Sequence, residues 1–151
     1  MSKRRVVVTG LGAITPVGDS VSTSWQAMLE GVNGIGTIGC FDASHFNCTI
    51  AGEVKAFNPA DYMPEKEARK MDRFMQLGIS AGVQALRDSG LEVSDSNSER
   101  IGVHIGSGIG GISTIENTTL IYEHKGHRRI SPFYIPMTIT NMISGNLSIM
   151  H

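Results

Sequence analysis

Cysteine, histidine and acidic side chains around residue 45 are the groups that could act as nucleophiles or metal ligands. Cys40, Asp42, His45 and Cys48 lie close together in the sequence, but their spacing matches no zinc-binding pattern. A nucleophilic thiol needs a lowered pKa, for example from a helix N-terminus or a neighbouring histidine, whereas the residues after His45 are typical of a loop that enters a strand. We therefore predict two free thiols, buried or half-buried, with no metal site and no catalytic residue.

A glycine-rich loop is the second feature with possible chemistry. The run Gly106-Ser107-Gly108-Ile109-Gly110-Gly111 has the spacing of the dinucleotide-binding fingerprint. The acidic residue that should follow about 20 positions later is absent from 124–129, which is basic and has no strand pattern. Two interpretations stay open: a dinucleotide-binding protein that uses the loop at Gly106, or a loop whose glycines let a substrate or a partner backbone pass close by.

Two clusters of basic side chains could dock an anionic partner. Lys66, Arg69 and Lys70 fall at i, i+3 and i+4, so on a helix they share one face. Arg128 and Arg129 form a second cluster with a lysine and two histidines nearby. The alternative for both is an ordinary solvated surface. Acidic residues interrupt the first cluster and the net charge is −1, so neither cluster predicts a nucleic-acid partner.

Strands alternate with helices in the pattern that is typical of an α/β fold. Two runs rich in β-branched residues, 4–9 and 100–105, predict strands buried on both faces, and 49–54 predicts a shorter strand. The predicted helices span 23–30, 71–89, 112–122 and 138–150. The predicted irregular segments are a loop at 33–47 and an extended linker at 131–136.

Two glycines interrupt the clearest helical pattern, that of 71–89. Gly78 and Gly82 lie one turn apart, and each glycine costs a helix about 1 kcal/mol relative to alanine. We therefore predict that another backbone approaches the helix closely there. Before the first helix, residues 19–22 offer several N-cap side chains.

Composition limits the class of protein. The sequence has 151 residues, 40% of them hydrophobic and 18% charged, which fits one folded domain and excludes a disordered chain. The basic N-terminus is followed by an apolar run that ends at Gly10, too short for a signal peptide. No apolar run approaches the ~20 residues of a membrane span. We expect a cytoplasmic protein with no membrane partner.

Four segments, taken together and in order, resemble the type II β-ketoacyl-acyl-carrier-protein synthases of bacterial fatty-acid synthesis. The resemblance extends over essentially the whole chain. The segments are RRVVVTGLG at 4–12 with PVG at 16–18, RKMDRF at 69–74, IGSGIGG at 105–111, and ISPFYIP at 130–136 with Asn141-Met142.

This resemblance implies a thiolase-like fold of layered αβαβα type, of which 1–151 would be the incomplete first part of the N-terminal half. It implies a homodimer that needs no cofactor. The activity implied is decarboxylative Claisen condensation of an acyl thioester with malonyl-acyl-carrier protein, in which a cysteine carries the acyl chain and two histidines stabilise the oxyanion. Those three residues match no position here, so we expect the chain alone to be inactive.

The resemblance also implies binding roles for particular residues. Gly108 and Ile109 correspond to the position that gates the acyl channel. A second group corresponds to the segment at the dimer interface beside that channel: Phe133, Tyr134, Ile135 and Met137. The two basic clusters match positions that meet the acidic acyl carrier protein. A non-catalytic module that keeps only the carrier-protein face and the acyl channel is the alternative.

Overall fold

A computed structural model describes residues 3–151, which form helices and one short hairpin in two compact units. The first unit comprises the residues before Pro59 together with 84–90, and the second comprises 59–83 and 91–151. No helix within 3–151 has the length and apolar character needed to cross a membrane. The helices are α1 (Val21–Leu29), α2 (Glu65–Ala68), α3 (Arg73–Ser89), α4 (Ile112–Lys125), α5 (Tyr134–Thr138) and α6 (Met142–Met150). The strands are β1 (Ile35–Thr37) and β2 (Ile50–Gly52), and three 3-10 turns span Pro59–Asp61, Ser98–Arg100 and His127–Arg129.

The first unit begins its helix with a capping box. The Oγ of Ser20 accepts from the amide of Thr23 at 3.2 Å, and the Oγ1 of Thr23 accepts from the amide of Ser20 at 3.0 Å. This reciprocal pair satisfies two of the amides that every helix N-terminus leaves unpaired. The predicted N-cap within 19–22 and the predicted helix are confirmed. The chain leaves the helix through Gly31, whose φ of 70° is accessible to glycine.

The hairpin pairs β1 with β2 in antiparallel register, Ile35 opposite Gly52 and Thr37 opposite Ile50. The predicted strand at 49–54 is therefore confirmed. The prediction of a loop throughout 33–47 is wrong because β1 lies inside it. Three residues containing a glycine carry too little pattern to be identified alone, and pairing with β2 supplies the hydrogen bonds that make them a strand.

The two runs predicted as buried strands, 4–9 and 100–105, are not strands, so these predictions are wrong. Val6 and Val8 are 89% and 78% exposed. The amide of Ile105 donates to Ser144 Oγ at 3.1 Å instead of to a strand. A buried strand needs hydrogen-bonding neighbours at its edges, and residues 3–151 pair neither run with one.

The core of the second unit lies between α3 and α6. Ile79 is fully buried in α3, and Ile143 and Leu147 are buried in α6. A Cβ on Gly78 would lie 2.9 Å from Ile143 Cδ1, and one on Gly82 would lie 2.6 Å from Leu147 Cδ2. A close approach does occur at these glycines, but the prediction that another backbone makes it is wrong, because the contacting atoms are side chains of α6.

The segment around Pro136 is helical, so the prediction of an extended linker at 131–136 is wrong. Pro136 is the third residue of α5, where proline is tolerated because the first amides of a helix have no intrahelical partner. The following helix begins later than predicted, at Met142, because Ile139 is extended with ψ 138°. This break lets the end of α5 lie beside the glycine loop.

Replacing Ser80 by alanine should stabilise the protein. The side chain of Ser80 is fully buried in α3, and its Oγ has no hydrogen-bond partner within the described residues. An unpaired buried hydroxyl costs about 1–3 kcal/mol, so Ser80→Ala should raise the free energy of unfolding in urea by about 1 kcal/mol. The control is Ser148→Ala at an exposed position of α6. It should change the free energy of unfolding by no more than about 0.5 kcal/mol. Destabilisation by Ser80→Ala would contradict this account.

Candidate functional site

The glycine loop 106–111 runs directly into α4 and lies against the end of α5. Gly110 has φ +82°, a conformation in which a side chain is strained. A Cβ on Gly110 would collide with the carbonyl oxygen of Thr138, and one on Gly111 with that of Met137. The amide of Gly111 donates to Thr138 O at 3.0 Å. Gly110 and Gly111 therefore allow the close passage of a backbone, as the second interpretation predicts, whereas the space beside Gly106 and Gly108 is open.

One buried carboxylate caps the two helices that begin near this loop. Asp72 is 7% exposed and immediately precedes α3. Its Oδ1 accepts from the amide of Phe74 at 3.3 Å. Its Oδ2 accepts from the amide of Thr114 at 3.0 Å and from Thr114 Oγ1 at 2.6 Å. Gly111 has no side chain to cap α4, so Asp72 performs that function from its position just before α3.

This carboxylate argues against the dinucleotide interpretation of the loop at Gly106. Pyrophosphate binding needs free amides at the helix N-terminus and an approach over the glycines. In the structure the Thr114 amide already binds Asp72, and the backbone of α5 covers Gly110 and Gly111. A second anion at this helix end would also be repelled by Asp72.

The residues predicted to line an acyl channel lie on two adjacent segments. Gly108 and Ile109 are exposed just before the Gly110–Gly111 turn. The other four lie in or next to α5, and α5 contacts α4. Their exposure differs: Phe133 and Ile135 are exposed, whereas Tyr134 and Met137 are half-buried. The Gly111–Thr138 hydrogen bond brings these segments together; their role in binding stays a prediction.

The first basic cluster lies on α2 and the turn that follows it. Lys66 and Arg69 are exposed and Lys70 is half-buried. Arg69 pairs with Glu65, and Lys70 Nζ lies 2.9 Å from Glu67 Oε1. Surface ion pairs like these are worth about 0–1 kcal/mol. An acidic partner can therefore displace the local carboxylates at little cost.

The second basic cluster borders an open groove. Arg128 and Arg129 lie on the 3-10 turn after Gly126. The groove, with a volume of about 600 Å³, is lined by Ile121, Lys125 and Arg129. Ile121 was not identified from the sequence, although it lies one helical turn before Lys125 and so shares a face with it. The groove combines an apolar wall with two cations.

Both thiols lie on the surface, so the prediction that they are buried or half-buried is wrong. Cys40 and Cys48 are free and exposed in the loop between β1 and β2. The hydrogen bond with the Glu53 carboxylate raises the pKa of the Cys40 thiol, and slight desolvation and the negative charge of Glu53 raise it further. The amides of Gly39 and Cys40 also donate to Glu53 Oε1, at 2.9 and 3.0 Å. Cys40 is therefore a poorly activated nucleophile.

The histidines add no alternative site. His45, His104, His124 and His127 are all exposed. The described residues contain no group of three or more histidine, cysteine or acidic side chains that could hold a metal ion. His104 was expected in a strand, but its segment is irregular.

Comparison with known proteins identifies one family. The sequence profile of the β-ketoacyl synthase N-terminal domain matches residues 3–151. The 3-oxoacyl-[acyl-carrier-protein] synthase 2 of Vibrio harveyi is 57% identical over 150 residues, 99% of this chain and 36% of that protein. The synthase 2 of a Synechocystis species is 49% identical over 145 residues, 96% and 35% of the two chains. The chain thus spans about a third of the length of these curated relatives.

Solved structures share the fold. A ketosynthase of a type II polyketide synthase, bound to a hexaketide and in complex with its acyl-carrier protein, superposes with a TM-score of 0.79 at 27% identity. That match covers 98% of this chain and 39% of the other. A β-ketoacyl synthase from Burkholderia phymatum superposes with a TM-score of 0.76 at 26% identity, covering 97% and 36%. The thiolase-like fold predicted from the sequence is therefore confirmed.

Replacing Glu53 should make the Cys40 thiol more reactive. Glu53→Gln keeps an acceptor oxygen for the two loop amides but removes the charged hydrogen-bond partner that raises the pKa of Cys40. A lower pKa gives more thiolate at a given pH. In a Cys48→Ser background, we expect iodoacetamide to alkylate Cys40 faster near pH 8. The midpoint of the alkylation rate as a function of pH should also move to lower pH. The control is the alkylation rate of Cys48 in a Cys40→Ser background, which Glu53→Gln should not change.

Equal alkylation rates for Cys40 with glutamate and with glutamine at position 53 would contradict the assigned hydrogen bond. The outcome would then show that the loop, and not Glu53, controls the reactivity of this thiol.

Proposed function

Because this chain belongs to the β-ketoacyl synthase family, we propose that it forms the N-terminal part of an enzyme that elongates fatty acids by decarboxylative Claisen condensation. The observation that carries the proposal is its high identity, over almost its whole length, with curated 3-oxoacyl-[acyl-carrier-protein] synthases 2. The acyl chain first passes from its thioester to an enzyme thiol. Malonyl-acyl-carrier protein then loses CO₂, and the resulting carbanion attacks the acyl carbonyl and expels the thiolate.

The chain's own contribution is a wall of the acyl channel. Ile109 is 64% exposed, and Phe133 and Ile135 on the neighbouring segment are 48% and 57% exposed. Exposed apolar side chains on neighbouring segments are typical of a surface that binds a ligand or another protein. We assign Gly108, Ile109, and the segment 133–137 to the acyl channel and to the adjoining interface of a homodimer in the cytoplasm.

The two basic clusters are assigned to docking of acyl carrier protein, in both its acyl-loaded and its malonyl-loaded forms. Lys66 has no ion-pair partner among residues 3–151, and the partners of Arg69 and Lys70 are weakly held surface carboxylates. Arg128 and Arg129 add charge beside the groove. Such exposed cations steer an acidic protein and fix its orientation. One superposed ketosynthase was itself solved with its acyl-carrier protein.

Reversing charges on α2 should weaken carrier-protein binding. The double variant Lys66→Glu, Arg69→Glu should raise the Kd for acyl-acyl-carrier protein at least about tenfold, which is about 1.4 kcal/mol. Isothermal titration at low and moderate salt measures it, and the wild-type affinity should fall with salt. The control is Arg4→Glu, Arg5→Glu, the same charge change at exposed positions outside both clusters. Equal losses for the two double variants would contradict docking on α2.

The condensation itself should need more polypeptide than these residues. Incubated with acyl- and malonyl-acyl-carrier protein, the 151-residue chain should release no CO₂ and form no β-ketoacyl product, because none of its residues matches the family's catalytic cysteine and histidines. A longer polypeptide that contains this sequence should form the product, which mass spectrometry detects. Product from the 151 residues alone would contradict the assignment, and binding without condensation by the longer polypeptide would favour a non-catalytic module.

A further inference from the structure

Asp72 holds together three segments that are far apart in the sequence. It caps α3 through Oδ1 and α4 through Oδ2, with Thr114 lying 42 residues away. A Cβ on Gly111 would lie 3.2 Å from Asp72 Oδ2. Through Gly111, which donates to Thr138 O at 3.0 Å, the carboxylate is linked to the end of α5.

The carboxylate suits this position better than any neutral side chain. Two helix N-termini present partial positive charge and unpaired amides, and one buried anion with two oxygens satisfies both. The backbone carbonyl of Asp72 is also used, since it accepts from the amides of Met75 and Gln76 at 3.0 and 3.2 Å. Removing the carboxylate would leave a half-buried donor pair on Thr114 without an acceptor.

The position of Ile109 follows from the position of the α4 N-terminus. The amide of Ile112 donates to Gly110 O at 2.9 Å, and the amide of Gly110 donates to Ser107 Oγ at 3.1 Å. These bonds leave Ile109 exposed in the turn that precedes α4. Asp72 holds the first turn of α4 through Thr114. A shift of the first turn of α4 would therefore move Ile109 relative to Phe133 and Ile135.

We propose that Asp72 is a positioning residue that sets the width of the acyl channel between Ile109 and α5, and so determines which acyl chain lengths are accepted. The inference rests on the proposed function, because it needs the channel assigned there. Asp72 does not touch the substrate in this account. It acts through Thr114 and the Gly110–Gly111 turn, and its charge matters more than its contribution to packing.

The positioning step is tested without catalysis, by hydrogen exchange on the chain itself. Asp72→Asn can keep an oxygen for the Phe74 amide but presents an NH₂ group to the Thr114 amide. The amide exchange rate should rise at least about fivefold at 111–115 and 137–139, because this is the effect of losing one helix cap. The exchange rate in the first turn of α3 should not change. Thr114→Ser keeps both donors and should exchange as wild type. Equal protection of α4 in wild type and Asp72→Asn would overturn the proposal.

The functional step is tested in the longer condensing polypeptide with acyl-acyl-carrier proteins of increasing chain length. Since one methylene in an apolar pocket changes kcat/KM about tenfold or more, Asp72→Asn should change the long-to-short ratio of kcat/KM by at least about tenfold. Ile79→Val, which weakens the core away from the loop, controls for stability and should keep the wild-type ratio.

The outcomes separate the two proposals. A wild-type polypeptide that does not condense refutes the proposed function, while the exchange experiment still decides whether Asp72 positions the loop. A polypeptide that condenses, but whose chain-length ratio is the same in the wild type and in the Asp72→Asn variant, refutes the further inference alone.

Discussion

The buried carboxylate of Asp72 is the interaction on which the rest of the second unit depends. Helix N-termini carry amides that must be paired when they are shielded from water. Here α3 and α4 begin near each other, and Gly111 provides no side chain to cap α4. A single anion with two acceptor oxygens satisfies both helices, and its burial keeps the attraction to their positive ends from being screened. This shared cap holds the first turn of α4, into which the glycine loop runs.

Glycines also determine how the elements pack, because they have no side chain at positions where two elements come into contact. Gly110 and Gly111 allow the backbone of α5 to pass beside the loop, whereas Gly78 and Gly82 admit side chains of α6 into the surface of α3. Each of these glycines is conformationally expensive in a folded chain. The cost is offset because the contacts bury apolar side chains or satisfy the Gly111 amide. At these four positions glycine is required by a close contact.

The described residues combine basic surface with exposed apolar side chains. Lys66 and Arg69 are exposed and the ion pairs of the first cluster are weak, and Ile109, Phe133 and Ile135 are apolar and exposed. The Cys40 thiol has a raised pKa because it forms a hydrogen bond with the Glu53 carboxylate. The proposed binding of an acidic carrier and an acyl chain rests on this charge and this apolar surface.

Local patterns were sufficient for the sequence by itself to determine several elements. The capping side chains at 19–22, the long helical pattern of α3 and the glycines that end or interrupt elements depend on neighbours within one or two turns. The family could also be recognised, because four short motifs occur in order. The basic clusters were visible because they are defined by composition and helical spacing.

Other features were decided only by tertiary structure, since their partners are distant in sequence. The valines at 6–8 favour a strand, but a strand also needs neighbours to pair with, and residues 3–151 provide none. Cys40 is exposed in the loop that joins the paired strands β1 and β2, and its hydrogen-bond partner Glu53 lies 13 positions away in the sequence. The cap between Asp72 and Thr114 joins residues 42 positions apart, so no periodicity could reveal it. Hydrogen bonds of this kind depend on where the folded chain places two groups, and composition and spacing contain no information about that placement.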